Sequence, residues 1–298
     1  MTCDITLFVN PRAGRGRGAR ETQPAARTLR EAGFAVRTVL GEDAADALRR
    51  ARAAVAAGTG ALVAVGGDGL VSLALQAVAG TDTPLGVVAV GTGNDFARAT
   101  GMPVRAPAAA AARIAHALKE DGGRPVDLGQ VGETYFGTVL ASGFDSRVTD
   151  RANRMRGPRG RLTYDLALLA ELAALRPIPY RIRLDDGPVH EVEATLVAVG
   201  NGGSYGGGMR ICPDARLDDG LFDVTVVGAC GRGELLRVFP RVYRGAHLTH
   251  PKVSVHRAAR VTLEAAGVTG YADGEPLGAL PLTARSVPGA VRLLGAGR

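Results

Sequence analysis

Short apolar runs alternate with amphipathic stretches through the first 120 residues. Asp4 to Val9 alternates as a strand does, and Phe34 to Leu40, Leu62 to Val65 and Leu85 to Val90 predict three more strands. Between them, Ala, Leu and Arg recur at helical spacing from Glu21 to Ala32, with Thr22 placed as an N-cap and Pro24 in the first turn. From Glu42 to Ala57, residues Ala44, Ala47, Leu48, Ala51 and Val55 share one face. A third helical pattern begins near Val71 and ends at Val78, and alanine-rich Ala106 to Leu118 predicts another helix. Strands alternating with helices of this length predict a parallel α/β layer.

The pattern changes after Gly122-Gly123. Short strands dominate from there: Val126 to Val131, Tyr135 to Ala141, Tyr180 to Leu184, Glu191 to Val199, Phe222 to Val227, Val253 to Val255 and Val261 to Leu263. A β-rich second domain, residues 125–281, is therefore expected to follow an α/β domain over 1–124. Two stretches interrupt its strands. Leu162 to Leu175 is apolar nearly all round and is expected to be a buried helix. Just before it, Arg147 to Arg161 contains six arginines and the single Asp150, which reads as a solvated loop or as a contact for an anionic surface.

The strand ending at Val65 leads into Gly66-Gly67-Asp68-Gly69 and then into a helix. Glycines let a ligand approach the backbone closely, and the helix that follows aims its free N–H groups and positive dipole end at the same point. That is a place for phosphate. Asp68 fits such a site if Mg²⁺ bridges it to the phosphates; a tight turn with an Asp cap is the alternative. A second glycine turn, Gly91-Thr92-Gly93-Asn94-Asp95, follows the next strand, and two such turns on one sheet edge can face one ligand. The first strand closes on VNPRAGRGRG, where Arg12, Arg15 and Arg17 alternate with glycines. Guanidiniums and glycine amides suit polyphosphate, although the spacing is not that of a dinucleotide fingerprint, and a basic surface loop is the alternative.

Composition narrows the classes. At 298 residues and 46% hydrophobic, the chain is long enough for two cores and is not a disordered polypeptide. A net charge of +7 favours anionic partners without choosing among nucleotides, nucleic acid and acidic membrane. Cys3, Cys212 and Cys230 are odd in number and lack metal spacing, as in a reduced cytoplasmic protein. No leader pattern or membrane-length apolar run is present in the sequence, so a soluble or peripheral protein is expected.

Taken together, VNPRAGRG, GGDG at 66–69, VGTGNDFAR at 90–98, SGFDSRV at 142–148, NGGSYGGGMRICPDARLDDGLFDV at 201–224 and YADGE at 271–275 resemble the diacylglycerol kinase catalytic family of bacterial lipid kinases, related to sphingosine and ceramide kinases. GGDG also marks NAD kinases; the ordered set is what is specific. The resemblance implies an α/β nucleotide domain completed by the last segment, residues 282–298, and a C-terminal β-sandwich-like domain carrying lipid substrate and metal. It implies ATP contacts at Asn10, Thr38, Gly66, Gly67, Asp68, Gly69, Leu70, Val71, Ser72 and Thr92, with Arg12, Gly93 and Asn94 as further donors beside them. It extends the acidic network around Asp68 to Asp127, and it places a second metal on the Asp219 carboxylate and the carbonyls of Arg216 and Leu221. Glu275 is assigned as the base that accepts the lipid hydroxyl proton, with Asp273 orienting it; an acidic hairpin tip is the plain reading of those two. Leu70, Ser72 and Leu73 depart from the GGDGT-Asn-Glu of the bacterial relatives. The expected partners are Mg-ATP and a lipid at an anionic membrane surface. Nucleic acid is not among them, and a homodimer stays open. An NAD kinase and a catalytically silent nucleotide-binding regulator are the competing functions.

Overall fold

The computed structural model describes residues 4–9, 13–120, 122–155 and 161–297, with the side chains of 13–20, 152–154 and 161–165 outside the described set. Asn10, Arg12, Arg156 and Arg159 thus lie outside the described residues.

The first half holds strands β1 (Asp4–Val9), β2 (Ala35–Leu40), β3 (Ala61–Gly66) and β4 (Leu85–Ala89), and helices α1 (Ala13–Glu31), α2 (Ala44–Ala56), α3 (Asp68–Val78), α4 (Asp95–Ala99) and α5 (Pro107–Glu120). The strands are parallel in the order β2-β1-β3-β4. Val9 lies beside both Leu40 and Val65, and Gly66 beside Ala89, so the carboxyl ends share one edge. That edge is where parallel sheets take ligands. Ile5, Leu7, Val63, Val65, Val87 and Val88 are almost wholly buried between helices on both faces.

Helix α1 corrects an expectation. It starts at Ala13, eight residues before Glu21, so Gly14, Gly16 and Gly18 are helical, Pro24 is internal and Thr22 is no cap. Each glycine costs the helix about 1 kcal/mol relative to alanine. Packing offsets that cost: Ala25, Ala26 and Leu29 are buried in the core and α1 lies against α5.

The second half contains β5 (Arg124–Val131), β6 (Thr134–Phe136), β7 (Val139–Gly143), α6 (Phe144–Arg154), α7 (Arg161–Ala173), β8 (Ile178–Leu184), β9 (Val189–Gly200), β10 (Phe222–Gly228), α8 (Arg232–Val242), β11 (Val253–Ala258), β12 (Arg260–Glu264), β13 (Thr269–Ala272), β14 (Glu275–Ala279) and β15 (Leu282–Leu293). One hydrogen-bonded network runs β14-β13-β7-β9-β8-β12-β15-β4-β3-β1-β2, with β10 and β11 beside β9, and β5 and β6 beside β15. β15 joins the halves, pairing antiparallel with β12 and β5 and meeting β4 in parallel at Leu293 and Leu85. A second core fills the β-rich half around Tyr180, Phe222 and Val261, and a third lies under α6, α7 and α8.

Two further expectations change here. The arginine-rich stretch expected as a loop begins as helix α6. Helix α7 is not buried all round: Ala167 is fully buried while Leu166 and Leu169 are 57% and 59% exposed. A helix lying on the outside of a layer buries only one stripe, whatever the residues on its other face.

Candidate active site

The two glycine turns touch backbone to backbone. A Cβ on Gly91 would lie 2.5 Å from the Gly67 Cα and 3.0 Å from Asn94 Oδ1, and one on Gly93 would lie 2.5 Å from Asp68 Oδ2. No side chain fits between the turns. Gly91→Ala should therefore destabilise the fold by about 1–3 kcal/mol, read as a lowered urea midpoint; an unchanged midpoint would show that the turns can separate freely. Asn94 takes φ 57° and uses its amide twice on Gly91, accepting from its N–H and donating to its carbonyl, both at 2.9 Å. It is spent on holding the turn.

Asp68 clamps one turn to the other. Its Oδ2 accepts the Asn94 amide and its Oδ1 the Asp95 amide, both at 2.7 Å, which caps α4. Helix α3 leaves the Asp68 and Gly69 amides without acceptors inside it, whereas those of Leu70 and Val71 both reach the Gly67 carbonyl at 3.1 Å. The side chains of Leu70 and Val71 are buried. Leu70 packs on Gly66, where a Cβ would come within 2.7 Å of its Cδ2. The departure from the relatives' threonine at this position is thus an apolar plug beneath the turn. Ser72 is half-buried, and Thr92 is exposed at the tip of the second turn. Thr38 is exposed on the edge strand β2, paired with Leu7 on the far side of β1 from the Asp68 turn.

Two more carboxyls feel the charge of Asp68. Burial pushes the Asp95 carboxyl up, the amide of Gly207 pulls it down, and Asp68 raises it further. Asp95 Oδ2 accepts the Gly207 amide at 2.7 Å, and its buried Oδ1 has no partner among the described residues. Sequence reading passed over Asp95; its position as a second carboxylate in a glycine turn was the available signal. Burial also raises the Asp273 carboxyl, which accepts from the amides of Gly137 at 2.7 Å and Thr138 at 3.0 Å and from the Thr138 hydroxyl. Asp273 and Gly274 both have positive φ, 51° and 87°, as a two-residue hairpin of Asp-Gly type requires. Glu275 opens β14 beyond that turn and is exposed. An orphaned Oδ1 on Asp95, beside a clamped Asp68 and free helix amides, fits a hard cation with phosphate.

Asp127 does not join this group. Its two oxygens accept the amides of Gly220 at 2.7 Å and Gly289 at 2.8 Å, tying β5 to the Asp218-Asp219 loop and to β15. In that loop Asp219 accepts from its own Leu221 amide at 3.1 Å and pairs with the Arg257 guanidinium, which also lies 3.3 Å from Asp223. A guanidinium already neutralises the loop carboxylate, so the residues present do not favour a metal on Asp219, Arg216 and Leu221. No group of three or more His, Cys, Asp or Glu among the described residues is arranged to hold a metal ion.

An apolar cavity of about 30 Å³, the room of roughly one water, lies between α6 and α8. Phe144, Leu196, Met209, Leu235 and Val242 line it. Asp145 Oδ2 and His247 Nδ1 are buried there without partners among the described residues. Burial pushes the Asp145 carboxyl up to about 7 and the His247 imidazole down. Cys212 is also buried, its thiol pushed up to about 12 by burial, consistent with an inert thiol.

The diacylglycerol kinase catalytic domain model matches residues 4–131, and that of the YegS C-terminal NAD kinase beta sandwich-like domain matches residues 138–295. A diacylglycerol kinase of Mycobacterium tuberculosis is 45% identical over 295 residues, covering 97% of this chain and 94% of the relative. A diacylglycerol kinase of Bacillus subtilis (strain 168) is 30% identical over 279 residues, covering 92% and 90%. Among solved structures, a diacylglycerol kinase from Bacillus anthracis str. Sterne shares the fold with a TM-score of 0.74 at 24% identity, over 98% of this chain and 96% of that one. Yeast NADH kinase, solved with NADH, shares it more loosely, with a TM-score of 0.50 at 11% identity over 99% and 83% of the two chains. Ordered motifs, an α/β half carrying the clamped glycine turns, a sandwich-like half joined to it through β15, and full-length relatives all agree: the chain belongs to the diacylglycerol kinase family of lipid kinases.

Proposed function

We propose that the chain transfers the γ-phosphoryl group of Mg-ATP to the hydroxyl of diacylglycerol, giving phosphatidic acid and ADP. The observation that carries this reading is the Asp68 clamp, which sets two glycine turns and the free amides of Asp68 and Gly69 around one point at the sheet edge. Those amides bind phosphate oxygens, and Asp68 with the orphaned Asp95 Oδ1 would hold Mg²⁺. Bound there, the ion would neutralise charge on the transferring group. The acceptor oxygen forms its bond to the γ-phosphorus as the bond to the β–γ bridging oxygen breaks and ADP leaves.

The hydroxyl proton passes to Glu275, whose carboxylate carries no hydrogen bond among the described residues. Asp273 is engaged by three donors and sets the hairpin that presents Glu275. The protein acts from the cytoplasm at the surface of an anionic membrane; none of its described helices is long and apolar enough to cross one.

Purified protein with Mg²⁺, labelled ATP and a panel of lipid acceptors should label an organic-extractable product with diacylglycerol. Label on NAD alone, or no turnover with any acceptor, rejects this function. In the same assay Glu275→Gln should lower kcat at least about a hundredfold with the KM for ATP unchanged. If Asp273→Asn is inactive yet as stable as wild type, while Glu275→Gln keeps its activity, the base is Asp273.

A further inference from the structure

We propose that the outer face of α8 is the surface by which this protein docks on an anionic phospholipid bilayer. Helix α8 buries Leu235 and Val242 in the third core and Val238 against the cavity beside it, and its other side is solvent-facing. There Leu236 is 58% exposed and Tyr243, at the C-cap, 51% exposed. Around them Arg232, Arg237, Arg241 and Arg244 are all exposed. Among the described residues none of these four guanidiniums is in an ion pair.

Glu234, the only acid of the helix, is paired from the side with Lys252 at 2.7 Å. Helix α8 therefore carries no unpaired acid of its own. Unpaired cations on a folded surface are ordinary, and so is one exposed leucine. Four arginines flanking a leucine and a tyrosine, with no unpaired acid on the helix, make the pattern of a helix lying in a lipid interface: aromatic and aliphatic groups enter the headgroup boundary while guanidiniums meet phosphates.

The charge complementarity selects an anionic bilayer over a second copy of this chain, which would bring the same arginines together. The inner face of α8 also walls the apolar cavity shared with α6, so a bilayer docked on α8 lies against the C-terminal half of the chain. The purpose of docking rests on the lipid-acceptor reading; the docking itself is measured without turnover.

The full chain is sedimented with vesicles of phosphatidylglycerol and phosphatidylcholine, and with phosphatidylcholine alone. Wild type should bind the anionic vesicles, more weakly as salt rises. Arg237→Glu/Arg241→Glu/Arg244→Glu should weaken that binding at least tenfold, and Leu236→Ser/Tyr243→Ser should do so with less salt dependence. Both variants should melt with wild type and should phosphorylate a water-dispersed short-chain acceptor at its rate.

Equal binding to neutral vesicles, unchanged binding of the arginine variant, or loss confined to a Leu166→Glu/Leu169→Glu variant on α7 overturns the assignment. So does a wild-type dimer that the α8 variants convert to monomer, which makes the face a self-association surface. If vesicle binding depends on α8 while no lipid is ever phosphorylated, the docking stands and the kinase reading falls.

Discussion

Asp68→Asn is expected to lower kcat/KM for phosphoryl transfer by at least about a hundredfold and to lower stability at the same time. The carboxylate accepts from two amides that belong to the other glycine turn. An asparagine presents one oxygen and one NH₂, so one of those amides meets a donor instead of an acceptor. Loss of a hydrogen bond to a charged group costs about 1.5–3 kcal/mol, and the register of the two turns loosens with it. Because Gly91 and Gly67 already touch, the turns have no closer arrangement to fall back on. Calorimetric titration with ATP should show weakened binding, and urea unfolding a reduced midpoint. An Asp68→Asn protein with wild-type turnover would remove Asp68 from the site. Full activity loss at unchanged stability would instead show that its charge acts on the phosphates and that the clamp is dispensable.

Asp145→Asn is expected to stabilise the protein at pH 8 relative to wild type, by an amount that shrinks toward pH 4. Burial in the apolar cavity raises the Asp145 carboxyl from 3.8 to about 7, and its Oδ2 has no partner among the described residues. Below the unfolded value both states carry the proton and burial adds no ionisation cost. Between 3.8 and about 7 the unfolded chain releases its proton while the native protein keeps it. The native state then binds more protons, so stability falls as pH rises. Above about 7 the native carboxylate ionises too and the whole cost is present. That displacement corresponds to at most about 4 kcal/mol. Asparagine keeps the shape and removes the titration. Urea unfolding of both proteins at pH 4.5 and pH 8 tests it, and a difference between them that does not change with pH would show that Asp145 is solvated.

The parallel layer was legible because its inner strands β3 and β4 are closed apolar runs and its helices have a repeating apolar face, as at Ala47, Ala51 and Val55 of α2. The glycine turns were legible because glycine beside a strand end is a local requirement of the backbone. Periodicity failed where a side chain's surroundings come from distant sequence. Helix α1 runs through three glycines because α5 packs on it, a partner some eighty residues away along the chain. Helix α8 escaped notice because its apolar positions are interleaved with arginines and interrupted by Pro240.

The candidate site divides the same way. The sequence by itself determined the turns and the carboxylates Asp68, Asp273 and Glu275, which sit in motifs whose chemistry is local, whereas the part of Asp95 emerged only from the structure. Tertiary structure decided which of them share one electrostatic environment. It brought Asp273, more than two hundred positions away, within reach of the charge of Asp68, tied Asp127 to Gly220 and Gly289, and neutralised Asp219 with Arg257. Charge and hydrogen bonding act through space over a few ångströms, and only the folded sheet, closed through β15, sets those distances.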